Sequence, residues 1–365
     1  MEETRQLEFS AVPKGCVANR ENFLRYSRFH IGSWVEMASP SDECRGILFW
    51  DPRMFPVLEY GRLTERQMNW IRKNYLVIVC PFWHSLHHEL FEYVPDPKVF
   101  SLLMTKDVQD EVEFSCLGVG RCLPYSYSDF VPDLNDLILE TPKEFDFVSV
   151  NNPRPFKRIY EALEEIPAGS SILLLNWEEN TLQNREFGPY ARACLDVCKR
   201  RKHTFEFRRM LKAEEMYREY AKGKVALQLS IAEGNYRALT EVSKCGVPAL
   251  YTPHIRGGGS RYTHQLRGKQ GTGEPVYHLG DIASKSRELL DQYGDYKPRR
   301  ILELTSRRLV FDLLREELYS IFEEGEERWN GEFREISAWE PGIGETYVDV
   351  RSIPEAESPE RKIHN

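Results

Sequence analysis

From residue 145 onward, short apolar runs of strand length alternate with stretches whose apolar positions recur at helical spacing. Strands are predicted over 145–150, 171–177, 204–207, 225–230, 247–251 and 276–279, and helices over about 185–201, 212–222 and 236–245. Such alternation implies a parallel sheet with helices on both faces, whose ligands sit beyond the carboxyl ends of the strands. The first half is less regular. There the pattern predicts strands over 46–50 and 76–80, an amphipathic helix over 64–74, and further strands over 98–104 and 115–117. The opening 40 residues contain no G-x-G-x-x-G loop, which weakens a dehydrogenase reading. Past residue 297 a helical stretch runs to about 325, with Leu302, Leu309, Leu313, Leu318 and Ile321 apolar among charges. The clearest break falls at 140–146, so the boundaries are set at 1–144, 145–325 and 326–365.

The segment 224–252 concentrates the chemistry. A buried-type strand (Val225, Leu227, Leu229) leads through a turn at 232–235 into a helix with Ala238, Leu239 and Val242 at helical spacing. Asn235 is the expected N-cap. Glu233 then lies in the turn and Glu241 about two helical turns on, placing the carboxylates about 10 Å apart along the axis. Between them the free N–H groups and positive dipole end of the helix suit a phosphate. A second cluster follows the strand at 146–150, where Arg154, Lys157 and Arg158 crowd a proline-punctuated turn before a helix. Cations at such a turn can face a diphosphate; a solvated helix start is the plain alternative. His84 directly follows the apolar run 76–80, and a structural histidine fits that position equally well. The loop 255–273 is rich in glycine and cations, which suits either closure on a phosphate or a surface excursion.

Ser230, Glu233, Gly234, Ala238, Glu241, Gly246 and Pro248 together spell S-x-x-E-G-x-x-x-A-x-x-E-x-x-x-x-G-x-P. In its strand–turn–helix–strand setting this run resembles the retaining GT-B glycosyltransferases of the family-four type, whose signature is Glu-x7-Glu. Val242 stands where they usually carry alanine, and Arg158 where they carry glycine. The resemblance implies an α/β GT-B architecture, two Rossmann-like domains facing a central cleft. Residues 1–144 would then form the acceptor side and 145–325 the donor side. Residues 326–365 would form a crossover segment and tail, with Trp329 and Trp339 as anchors on the first domain.

By the same resemblance Glu233 hydrogen-bonds the donor hexose, Glu241 the ribose, and Arg154 with Lys157 the diphosphate. Gly234, Asn235 and Tyr236 frame the helix start at the donor, and His84 approaches the sugar from across the cleft. The implied activity is retaining transfer from a nucleotide diphosphate sugar to an unidentified hydroxyl acceptor, a glycan, lipid or small molecule. No cofactor is required beyond that co-substrate. No metal is expected, because no Asp-x-Asp pair is present and the Asp133–Asn135–Asp136 run is a poor substitute. Two other classes stay open: a silent nucleotide-sugar binding module and a glycosyltransferase acting on nucleic acid.

Composition narrows these choices. A chain of 365 residues with 41% hydrophobic and 12% aromatic content can build two cores. The net charge of −8 argues against nucleic acid as partner. Local basic runs such as 199–202 leave a peripheral membrane contact open, although a solvated helix end explains that run better. Eight scattered cysteines without a C-x2-C pair read as reduced core thiols. With an acidic, polar start and no long apolar run, the expected location is cytoplasmic.

Overall fold

The computed structural model describes residues 33–51, 64–80, 96–334 and 346–347, apart from 107, 135–137, 139, 178, 186–187, 209–212, 232, 234–235, 254 and 256–264. The first unit opens with β1 (Ser33–Ala38), β2 (Gly46–Asp51), α1 (Glu65–Asn74) and β3 (Tyr75–Val79). It continues through β4 (Leu102–Met104), α2 (Val108–Cys116) and β5 (Cys122–Leu123). Thr64 starts α1 with a capping box: its hydroxyl accepts from Gln67 N at 3.2 Å, and Gln67 Oε1 accepts from Thr64 N at 2.8 Å. Met68 and Ile71 then reach the core against β3, whose five residues are all buried. An apolar run buried on both faces is what a central parallel strand requires.

The second unit runs β6 (Phe145–Ser149), α3 (Ile159–Glu165), β7 (Ser171–Leu175), α4 (Glu179–Gln183), α5 (Gly188–Arg200) and β8 (Thr204–Arg208). It then passes through α6 (Ala213–Ala221), β9 (Gly223–Gln228), α7 (Arg237–Lys244), β10 (Ala249–Tyr251), β11 (Gly273–Pro275) and α8 (Ile282–Gln292). The chain finishes with α9 (Leu302–Thr305), α10 (Arg307–Glu324) and β12 (Thr346–Tyr347).

Each unit carries a six-stranded sheet. The first has the order β12-β1-β2-β3-β4-β5, with β2 to β5 parallel and the two outer strands antiparallel. The second has the order β11-β10-β9-β6-β7-β8 and is parallel throughout. Numbered within the unit, that order is 3-2-1-4-5-6 read from β8, the doubly wound Rossmann arrangement. Its faces carry separate cores: α3, α5 and α8 bury Leu163, Cys194 and Leu289 on one, while α6 and α7 bury Tyr220 and Leu239 on the other. The α/β class and two Rossmann-like sheets expected from the sequence are present.

The helix α7 stops where the motif predicts. Gly246 takes φ +75°, its N–H bonds to Ser243 O and that of Val247 to Val242 O, both at 3.0 Å. This Schellman ending needs a left-handed residue, which glycine adopts without a steric penalty.

Three local expectations are corrected. Residues 115–117 are not a strand, since Ser115 and Cys116 close α2, whose Val108 and Val112 stay exposed and leave it with little helical periodicity to read. The stretch 98–104 is a 3-10 turn followed by a three-residue strand, and the last strand falls at Gly273–Pro275 instead of 276–279. The strand β1 lies in the stretch where none was assigned.

α10 packs Val310, Phe311, Leu314, Leu318 and Phe322 against Ile47, Phe49, Ile78 and Met104 of the first sheet, with Trp329 alongside. It is tied to the second unit by one carboxylate. Asp133 accepts from Lys244 Nζ at 3.0 Å, at the end of α7, and from Arg307 N at 3.2 Å, at the start of α10. Lys244 is fully buried and also donates to Val131 O at 2.8 Å. Desolvation lowers its pKa, against the pull of Asp133.

The described residues contain no helix long and apolar enough to cross a membrane, and Cys44, Cys116, Cys194, Cys198 and Cys245 carry free thiols.

Removing the carboxylate should therefore cost more than removing the lysine. Asp133→Ala removes the charged partner of a buried ammonium and is expected to cost about 1–3 kcal/mol, while Lys244→Met replaces it with an apolar chain and costs less; urea midpoints of the two variants check the order. A pH effect follows from Lys143, whose ammonium donates to Ala221 O at 2.8 Å and is pulled down to about 8 by desolvation. Because the unfolded chain keeps that proton to higher pH, the folded state is penalised below pH 8 and the penalty fades as pH rises toward the ordinary lysine value. Lys143→Met should thus be more stable than the natural chain at pH 7, with the gap closing between pH 8 and 10 in denaturant titrations.

Candidate functional site

The order of the second sheet places β6 beside β9, while the chain winds outward from β6 on one side and from β9 on the other. The segments leaving these two strands therefore diverge and open a crevice at their carboxyl ends. Several bonds fix its walls. Ile231 N donates to Phe156 O at 3.0 Å, joining the segment after β9 to the 3-10 turn Pro155–Lys157 after β6. Asn151 Nδ2 donates to Leu227 O at 3.3 Å, and Trp177 Nε1 to Asn151 O at 2.9 Å. Across this junction Lys157 Nζ forms an ion pair with Glu233 Oε1, with side-chain exposures of 13% and 9%. The Phe156 ring lies 5.2 Å from the same ammonium. Two of the residues singled out in the sequence thus meet across 76 positions.

The strand ends add a second feature. Ser149 Oγ at the end of β6, Gln228 Nε2 at the end of β9, and Ser230 Oγ and Thr252 Oγ1 just beyond β9 and β10 are buried without a hydrogen-bond partner among the described residues. Ser149, Gln228 and Ser230 are wholly shielded from solvent. Buried polar side chains are ordinarily bonded, so four on one sheet edge leave that edge with hydrogen-bonding capacity a polar ligand or water can take up. Strand alternation puts Ser149 and Thr252 toward one face and Gln228 and Ser230 toward the other. The edge beside the ion pair is thus polar on both faces and suited to hydroxyl or phosphate groups.

Arg154 opens the 3-10 turn: its N–H bonds to Asn152 O at 2.8 Å and its carbonyl accepts from Lys157 N at 2.9 Å. Arg158, standing where the resembled family has glycine, is left-handed at φ +53°. For a residue with a Cβ that conformation costs on the order of 1 kcal/mol.

The helix cap differs from expectation. The N-cap is Tyr236, one residue later than Asn235, and it makes no side-chain cap bond. The Tyr236 ring is buried in the core and its hydroxyl donates to Gln228 O, which carries the chain one step further before the helix begins. Gly234 and Asn235 lie outside the described residues, as does His84. Of the loop 255–273, residues 256–264 lie outside them too, and Gly268 N bonds to Gly273 O at 2.7 Å in a turn feeding β11.

Glu241 occupies a separate network. It is 2% exposed, accepting from the Tyr220 hydroxyl at 2.9 Å and from Arg237 Nε at 2.5 Å. Burial and the neighbouring carboxylate push the Tyr220 phenol well above its ordinary pKa. Sequence reasoning missed Tyr220 and Arg237. The i,i+4 spacing of Arg237 and Glu241 was a visible signal; nothing in the sequence pointed to Tyr220.

A groove of about 740 Å³ lies elsewhere, between the turn joining β1 to β2 and residues 328–334. That turn is at the amino edge of the first sheet, and none of the candidate site residues lines the groove. Among the described residues no group of three His, Cys, Asp or Glu is placed to hold a metal.

No protein-family model and no curated protein matches the chain. Solved structures do resemble it. HepE of Anabaena, in complex with UDP, is 12% identical with a TM-score of 0.47, covering 70% of this chain and 81% of that one. Sucrose-phosphate synthase of Thermosynechococcus elongatus is 15% identical at 0.47, covering 69% of each chain. The α,α-trehalose 6-phosphate synthase of Burkholderia multivorans is 11% identical at 0.48, covering 69% and 68%. At such scores the reading of the site rests on its own geometry.

Replacing Tyr220 by Phe removes one bond to a buried carboxylate. The expected cost is about 1–3 kcal/mol, read as a lower urea midpoint with the overall far-UV spectrum unchanged.

Proposed function

We propose that the chain is a glycosyltransferase with GT-B architecture, taking a sugar from a nucleotide diphosphate donor to an unidentified hydroxyl acceptor with retention at the anomeric carbon. One observation supports this above the others: Lys157 and Glu233, a cation and a carboxylate of the Glu-x7-Glu run, meet at the carboxyl edge between β6 and β9 beside unpartnered buried polar groups. A phosphate-binding cation next to a carboxylate suited to sugar hydroxyls is the pairing that a sugar diphosphate needs.

In this reading Lys157, helped by Arg154, holds the diphosphate, and Gly234, Asn235 and Tyr236 keep the donor-binding role that the motif assigns them. Glu233 fixes the hexose through its hydroxyls. Glu241 serves the ribose once Arg237, its i,i+4 partner, swings aside. His84 remains the candidate from the first unit. The bond from the anomeric carbon to the β-phosphate oxygen breaks as the acceptor oxygen bonds to that carbon on the same face. The acceptor proton passes to the departing phosphate oxygen, whose growing charge the lysine and helix end stabilise.

A thermal-shift screen against UDP-, GDP- and ADP-glucose tests the proposal. At least one should stabilise the chain and the shift should shrink in Glu241→Ala; no shift with any of a broad donor panel at millimolar concentration would count decisively against it. Retention is checked by the anomeric proton coupling of the product.

A further inference from the structure

The ion pair between Lys157 and Glu233 has a consequence for how a donor and its spent product are told apart. We infer that these two residues form an exchange pair, which makes the crevice hold an intact nucleotide sugar more tightly than the nucleoside diphosphate left after transfer. The inference rests on the donor-site reading above.

Glu233 is 7% exposed overall, and Lys157 is the side chain its carboxylate bonds among the described residues. The two are held at close range by the backbone bond between Ile231 N and Phe156 O, so the pair is built into the meeting of two loops and does not depend on two free chains finding each other. An ammonium has three donors and can touch carboxylate and phosphate together. Doing so, however, brings two anions within a few ångströms in a mostly buried place, where their repulsion is far less screened than in water.

An intact donor relieves that conflict. Its β-phosphate, esterified to the sugar and joined by an anhydride to the α-phosphate, carries a single negative charge, and the attached sugar offers hydroxyls that donate to Glu233 in place of Lys157. After transfer the β-phosphate is terminal and carries up to one further negative charge near neutral pH, because the second ionisation of a phosphate lies near 6. The hydroxyls have left with the sugar. Glu233 then faces a more negative neighbour and has one strong partner to return to, Lys157. Reforming the pair weakens the hold on the diphosphate and favours its release.

The test is a set of calorimetric titrations of the full chain with UDP, GDP and ADP and with the corresponding glucose conjugates. In the natural chain the conjugate should bind at least tenfold more tightly than its diphosphate. Glu233→Gln keeps the hydrogen-bonding shape and removes the competing charge, so affinity for the diphosphate should rise about tenfold, which corresponds to about 1.4 kcal/mol, while affinity for the conjugate falls. A diphosphate that binds the natural chain and binds Glu233→Gln no better overturns the exchange pair and leaves the donor-site reading standing. Failure of every diphosphate and conjugate to bind the natural chain overturns both. Lys157→Arg provides a second variant that does not depend on Glu233→Gln folding: the planar guanidinium spreads its N–H donors over separate edges, so carboxylate and phosphate can bind farther apart than on one ammonium and repel each other less. It should narrow the gap between conjugate and diphosphate at least threefold, and an unchanged gap would also overturn the inference.

Discussion

The reversal of winding direction between β6 and β9 is the constraint on which the site depends. In a parallel sheet each strand needs a crossover, so neighbouring strands usually send their following loops the same way. Only where the order reverses do two adjacent loops part and leave room at the strand ends. Here that place receives Asn151, the 3-10 turn with Lys157, and the segment with Glu233. Residues 76 positions apart become partners because of the order of strands. The buried polar atoms of Ser149, Gln228 and Ser230 lie on the same edge, where an apolar side chain would have served a purely structural sheet better.

A second organising feature is the use of buried charge as a joint between units. Asp133 serves the lysine at the end of one helix and the first N–H of another, and those helices belong to different cores. Nearby, Lys106 follows β4 and pairs with Asp129 at 2.6 Å, both almost fully buried, while Asp129 also accepts from Ser126 N at 2.7 Å. Desolvation lowers the pKa of both lysines, Lys244 adds to the effect on Lys106, and the carboxylates of Asp129 and Asp133 offset it. Such pairs add little net stability compared with apolar packing, but each severely penalises an arrangement that separates its members. They are suited to fixing where the two sheets sit.

Much of the second unit was legible in the sequence because its strands are apolar runs bounded by amphipathic helices, and because Gly246 and Pro248 punctuate the end of α7. The first unit was harder to read for physical reasons. β4 and β5 have three and two residues, too few for any periodicity, and α2 exposes valines on its outer side. β1 draws its place from pairing with β2 and with the distant β12, information that no local window contains. In the site, the identities of Glu233 and Lys157 were visible but their contact was not. Glu241 was visible as a motif member, whereas its burial against Tyr220 depends on how α6 packs on α7. Asp133 drew notice as a weak candidate for metal binding, and its contacts in the structure are Lys244 and the α10 backbone.

The roofing of the first sheet by α10 also bears on synthesis. Ile47, Phe49 and Ile78 leave the ribosome early, whereas Val310, Phe311 and Leu314, which cover them, follow about 260 residues later, after the whole second unit. At ordinary elongation rates that delay is on the order of tens of seconds. During it that face of the nascent sheet lacks the cover that α10 later gives it, and the outer side of β1 waits longer still for β12. The first sheet therefore completes its apolar cover only after the second unit has been made.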